Sequence, residues 1–159
     1  MLVIKALMVF ATVAIIMTNF LVVSSHLPRI FILHRQAVYV YFANFLNFAQ
    51  AAKACTQVGG QLASITNSYE QGMAVKTLPK NMGSSVWVGG SDQKQEGHWV
   101  WRDGSKFAFT AWGKHYNEPN GGRRENCLQL QRKKTGLLTE GFWNDKSCSV
   151  SSPFICEFN

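Results

Sequence analysis

Glu118–Asp145 reads EPNGGRRENCLQLQRKKTGLLTEGFWND, and its oxygen-bearing side chains fall on either side of one short apolar run. Glu118, Pro119 and Asn120 open the stretch, Glu125 and Asn126 stand just before Cys127, and Asn144 and Asp145 follow Phe142 and Trp143. Calcium is a hard cation that takes about six to eight oxygen ligands in a flexible geometry. Side chains of Glu118, Asn120, Glu125, Asn144 and Asp145 supply five such ligands, a backbone carbonyl is a ready further one, and the positions left over suit water or a ligand. A polar turn such as 117–122 is unremarkable standing alone. Its succession with the other two groups, flanked by cysteines, points to a metal site.

Glu-Pro-Asn, a Glu ahead of Asn-Cys, and Trp-Asn-Asp followed by a Cys together resemble the sugar-binding calcium site of the C-type lectin family. Other segments carry the same resemblance: Leu62-Ala63-Ser64-Ile65, Trp87-Val88-Gly89-Gly90, and Trp101-x-Asp103-Gly104-Ser105 with Trp112 beyond it. It extends over about Val38 to Phe158. It implies an α+β C-type lectin-like fold, two helices flanking small antiparallel sheets with a long calcium-binding loop region, and a carbohydrate-recognition domain over residues 38–159.

The resemblance also implies a ligand. In this family the Glu-Pro-Asn order goes with neighbouring equatorial hydroxyls, as in mannose, N-acetylglucosamine and fucose, on glycans or microbial surfaces, whereas Gln-Pro-Asp goes with galactose. The chemistry is plain: a carboxylate accepts, while a carboxamide donates through nitrogen and keeps its oxygen for the ion. Pro119 is expected to be cis, which costs an X-Pro bond only about 0.5–1 kcal/mol and lets both neighbouring side chains face the ion. An auxiliary calcium site would begin at Asp92 and Glu96 and share Glu125. Gly121 and Asn126 stand where its further carboxylates belong, so this second site is expected to be weak or absent.

The chain has four cysteines, Cys55, Cys127, Cys148 and Cys156. In an oxidising compartment they imply two disulfides with three open connectivities. No Cys-x-x-Cys spacing favours zinc. A Cys127–Cys148 bridge would fix two ligand-bearing segments against each other and leave Cys55–Cys156, the pairing of the short form of the lectin family.

At 159 residues and 47% apolar composition the chain has room for one domain with a sizeable core. Lys5 followed by an apolar run to Val23 and small residues at Ser24 and Ser25 reads as a secretory signal over residues 1–25. The run is long enough that a signal-anchored membrane protein is the alternative. Residues 26–37 form an N-terminal arm, either an added strand or a segment packed on the domain. A formal net charge of +7, with Arg123 and Arg124 inside the calcium stretch and Arg132, Lys133 and Lys134 after it, reads as a solvated basic surface that keeps the protein soluble, with contact to anionic cell-surface groups as the sharper alternative. Export excludes nucleic acid, and homo-oligomerisation is left open.

Val38–Phe42 is β-branched and aromatic, a strand pattern. Asn47 with Gln50, and Asn67 with Glu70, predict two capping boxes, the first helix stopped by Gly59 and Gly60 and the second by Pro79. Short strands are expected over His98–Trp101 and Phe107–Trp112, with Asp103-Gly104 as a hairpin signal, and over Glu125–Leu130 and Gly141–Asn144. Phe154, Cys156 and Phe158 alternate toward the core of a last strand.

Enzymatic chemistry finds little foothold. His26, His34, His98 and His115 stand singly with no metalloprotease spacing, and Glu118 and Glu125, conceivable as a glycosidase pair, are spent on calcium. The competing reading is a protein-binding or anionic-surface-binding module in which calcium is a structural ion.

Overall fold

The computed structural model describes residues 32–34, 37–79, 85–135 and 138–159. The signal reading over 1–25 and most of the arm lie outside them. Of the arm, β1 (Ile32–His34) is an added strand, antiparallel to β2 (Ala37–Leu46) in the register Leu33 opposite Val38. Helix α1 (Phe48–Gln57), β3 (Gln61–Leu62), helix α2 (Ser68–Thr77), β4 (Ser85–Ser91) and β5 (Val100–Trp101) follow. An irregular stretch with short 3₁₀ turns at Lys114–Tyr116 and Gly122–Arg124 then leads into β6 (Cys127–Thr135), β7 (Leu138–Lys146) and β8 (Ser152–Phe158). The class is α+β. The described strands join one hydrogen-bonded sheet in the order β1-β2-β8-β4-β6-β7, with β3 added to β8 and β5 to β4. All pairings are antiparallel except β4 with β8, where Trp87 meets Phe154.

The caps behave as their chemistry dictates. Asn47 Oδ1 accepts from Gln50 N at 2.9 Å and Gln50 Oε1 from Asn47 N at 3.1 Å, a complete box. The chain leaves α1 through Gly59 at φ +80°, a left-handed conformation that favours glycine. The second box is only half formed. Asn67 Oδ1 accepts from Tyr69 N and Glu70 N, but the Glu70 carboxylate turns to Thr66, taking its N–H at 2.7 Å and its hydroxyl at 2.9 Å. Thr66 offers two donors where the cap backbone offers one. Helix α2 ends at Leu78, held extended ahead of Pro79.

Two expectations need correction. Asp103-Gly104 is not the turn of a β-hairpin: Asp103 Oδ1 accepts from Ser105 N and its hydroxyl, a local side-chain turn, and 107–111 carries no strand, with only a Trp112–Trp143 bridge beyond it. Phe107 and Phe109 instead pack their rings on Trp143. Phe154, Cys156 and Phe158 do alternate toward one core, and the residues between them are buried as well, because this central strand is covered on both faces. Phe154, Cys156 and Phe158 enter a cluster with Phe48, Cys55 and Trp87, while Ile155 enters another with Ile65, Val88, Leu128, Leu130 and Trp143. The Leu62–Ile65 link is buried between them, Ala63 N donating to Ile155 O and Gly89 N to Ala63 O.

Disulfides join Cys55 to Cys156 and Cys127 to Cys148, with Cα separations of 5.5 and 5.2 Å. The first ties α1 to β8. The second ties the start of β6 to the turn after β7. Among the described residues no helix is long and apolar enough to cross a membrane.

Candidate functional site

Trp143 is the foundation on which the site stands. Fully buried, it is met edge-on by Trp101, Phe109 and Trp112, and its indole Nε1–H donates to Gln71 Oε1 at 2.8 Å. Its backbone holds the incoming loop as well: Trp143 N donates to Ala111 O at 2.7 Å and Gly113 N to Trp143 O at 2.9 Å. The next two residues along β7, Asn144 and Asp145, are thereby set beside the segment that carries Glu118 and Asn120.

That segment turns sharply. The 3₁₀ turn Lys114–Tyr116 ends in Asn117 at φ 57°, and the Glu118–Pro119 peptide is cis. Asparagine is among the few side chains that accept the left-handed region readily. Asp145, buried to 1% exposure, then grips the turn from below: its Oδ1 accepts from Asn120 N at 3.0 Å and its Oδ2 from Gly121 N at 2.8 Å. Gly121 lies so close to Glu125 that an added Cβ would stand 2.3 Å from the Glu125 Cβ and Cγ. Pairing of Leu128 with Asp145 and Gln129 with Asn144 brings the two strands of the site into register.

The structure therefore brings Glu118, Asn120, Glu125, Asn144 and Asp145 into one neighbourhood, but it does not aim every carboxylate at one point. Among the described residues no three Asp, Glu, His or Cys side chains form a metal-binding cluster. Lys146, which sequence reasoning passed over, donates from Nζ to Glu125 Oε1 at 2.8 Å. A lysine directly after Asp145, amid three carboxylates, was the signal that could have found it.

The fit of a cation rests on Glu118. Its Oε2 is buried without a hydrogen-bond partner among the described residues. Burial, a side-chain hydrogen bond with Asp145 and the negative charges of Asp145 and Glu125 push its carboxyl up to about 7, against the lowering influence of Lys146. A carboxyl crowded against other carboxylates, with a buried oxygen to spare, suits a hard divalent cation. The amides suit it too. Asn120 Nδ2 donates to Tyr116 O at 3.0 Å and Asn144 Nδ2 to Asp145 O, so both leave their oxygens available.

The auxiliary pair is less well matched. Asp92 and Glu96 line one open cavity with Arg123 and Asn126, but Glu96 is exposed and Asp92 Oδ2 closes its own turn by accepting from Gly97 N at 2.9 Å. Arg123 puts a cation on the same cavity.

Residues 45–158 match the family model described as the lectin C-type domain. The chain is 32% identical to the galactose-specific lectin nattectin of Thalassophryne nattereri, over 86% of this chain and 82% of that one. Among solved structures it is similar to a Ca2+-dependent type II antifreeze protein in its Ca2+-free form, 29% identical with a TM-score of 0.68, covering 84% of this chain and all of the other. It is similar also to the cow carbohydrate-recognition domain of CD23 in the presence of GlcNAc2Man3 oligosaccharide, 26% identical with a TM-score of 0.67, over 83% and 95% of the two chains. The protein is not an enzyme. With the fold, the loop and the matched residues in agreement, the chain belongs to the C-type lectin domain family.

Proposed function

We propose that this protein is an exported, calcium-dependent lectin that recognises mannose-type sugars (mannose, N-acetylglucosamine and fucose) through Glu118 and Asn120. The observation that carries the reading is the backbone clasp of Asp145 on Asn120 and Gly121, which holds an acceptor and a donor on either side of a cis proline. Glu118, Asn120, Glu125, Asn144 and Asp145 would hold the ion, and bound calcium supplies exchangeable positions for two vicinal hydroxyls. Glu118 accepts a hydrogen bond from one hydroxyl. Asn120 donates to the other through the amide hydrogen that Tyr116 O leaves unused. The order of acceptor and donor favours mannose-type ligands over the galactose of nattectin.

Exchanging that order is the test. In Glu118→Gln with Asn120→Asp the oxygen count around the ion is nearly kept, while each hydroxyl now meets the wrong partner. Leaving one polar group unpaired costs about 1–3 kcal/mol, or roughly ten- to a hundredfold in affinity. Competitive elution from immobilised mannose in calcium should weaken in the double variant. A parent that ignores mannose, with a variant that behaves identically, would favour the second reading, a protein-binding or surface-binding module with structural calcium. The likeness to an antifreeze protein gives that reading its weight.

A further inference from the structure

We infer that Arg124 is a specificity residue that contacts a sulfate or phosphate group carried by the sugar held at Glu118 and Asn120, an inference that rests on the carbohydrate reading above. An open cavity of about 420 Å³ is lined by Asn120, Gly121, Arg124, Glu125 and Ser147. Two of these residues belong to the sugar site itself. Arg124 therefore borders whatever extends from that site toward Ser147.

Arg124 is exposed, and the backbone that carries it is fixed. Its 3₁₀ turn is anchored ahead by the Asp145 carboxylate on Asn120 N and Gly121 N, and behind by Glu125 N donating to Gly122 O at 2.9 Å. Asn126 Nδ2 adds a bond to Arg123 O at 3.0 Å. No ion pair joins Arg124 to another described residue, although Glu125 is its chain neighbour and is taken by Lys146. Its partner Arg123 diverges to the separate cavity of Asp92 and Glu96.

Charge decides what this arrangement selects. Bound calcium and Lys146 offset the charges of Glu118, Glu125 and Asp145, and the cation that adds preference for an anionic sugar is Arg124 beside the site. A neutral sugar makes no use of that charge. The planar guanidinium offers paired donors that match two oxygens of a sulfate or phosphate, and the Ser147 hydroxyl lines the same cavity.

The experiment measures competition for immobilised mannose, in calcium, by methyl mannoside against mannose 6-phosphate and by N-acetylglucosamine against its 6-sulfate. The two pairs separate phosphate from sulfate. The whole chain is expected to prefer at least one charged form by about five- to tenfold, a preference that shrinks at about 0.5 M salt. Arg124→Gln should bring the ratio of charged to neutral affinity to about one, Arg124→Lys should keep part of it, and Arg123→Gln should leave it in place. Reading the ratio within each variant makes the result independent of any general loss of binding. Equal affinities in the parent, a preference that survives Arg124→Gln, or charged-sugar binding that persists with chelator would each overturn the inference. A neutral sugar bound without preference sinks this inference alone, whereas binding of neither form sinks the carbohydrate reading with it.

Discussion

Lys146 Nζ lies 2.8 Å from Glu125 Oε1, so the residue directly after one proposed calcium ligand neutralises another. The side chains are 41% and 22% exposed, which screens the pair and keeps its own contribution to folding small. Its effect on a metal is another matter. A tethered ammonium both repels a divalent cation and occupies an oxygen that the cation would use. Lys146→Met keeps most of the stem and removes the charge. Calorimetric titration of that variant should show calcium bound about five- to tenfold more tightly. An unchanged or weaker affinity would mean that Lys146 does not compete.

Gly121 is the tightest approach within the site. A methyl group there would stand 2.3 Å from Glu125 Cβ and Cγ, atoms next to the backbone that cannot simply swing away. Gly121→Ala is expected to cost about 1–3 kcal/mol in thermal or denaturant unfolding and to weaken calcium binding at the same time. Normal stability with normal calcium affinity would show that the turn accommodates a side chain.

Gln71 on α2 reaches across to the centre of the loop core, accepting from the Trp143 indole and donating to Gly141 O at 3.0 Å. Gln71→Ala strands a buried N–H beneath Asn144 and Asp145. A loss of about 1–3 kcal/mol in unfolding free energy should follow. A loss below about 0.5 kcal/mol would show that the indole finds another partner.

Glu157 gives the fold a pH dependence of its own. Buried in β8 with Ser64 N donating to its Oε2 at 2.9 Å, it is pushed by burial up to about 7, the Ser64 bond opposing the rise. A carboxyl raised in the folded state binds its proton there more tightly than in the unfolded chain. Its favourable contribution is therefore present at acid pH and lost as pH rises from about 4.5 through about 7. Glu157→Gln keeps the acceptor for Ser64 and removes the titration. The variant should be about 2–3 kcal/mol more stable than the parent at pH 8, and the difference should fade toward pH 4.5, in unfolding measured with chelator present. A pH-independent difference would contradict the assignment.

Much of this architecture was legible in the chain because it is written locally. Asn47 with Gln50 announces a helix start through bonds spanning three residues, and Pro79 announces a helix end by excluding a helical conformation before it. In Glu118–Asp145 the oxygen-bearing residue types were legible directly, and the structure brings their segments together through the Asp145 bonds to Asn120 N and Gly121 N. What escaped was set by distant partners. Glu70 could have completed its box, but Thr66 offered the better donors. Phe107 and Phe109 looked like strand residues until Trp143 supplied a surface to pack on. Period-two alternation in β8 could not reveal a second covered face, because that face is built by α2, β6 and β7. The ion pair of Lys146 with Glu125 spans 21 residues and exists only once β6 and β7 are paired.

The central claim is that Glu118 and Asn120 bind sugar through calcium, and a glycan array probed with the whole chain in calcium and again with chelator tests it most directly. Retention on glycans ending in mannose, N-acetylglucosamine or fucose, abolished by chelator and restored by added calcium, is the result predicted. Glycan binding that is indifferent to chelator, or no glycan binding from a folded chain saturated with calcium, would contradict it.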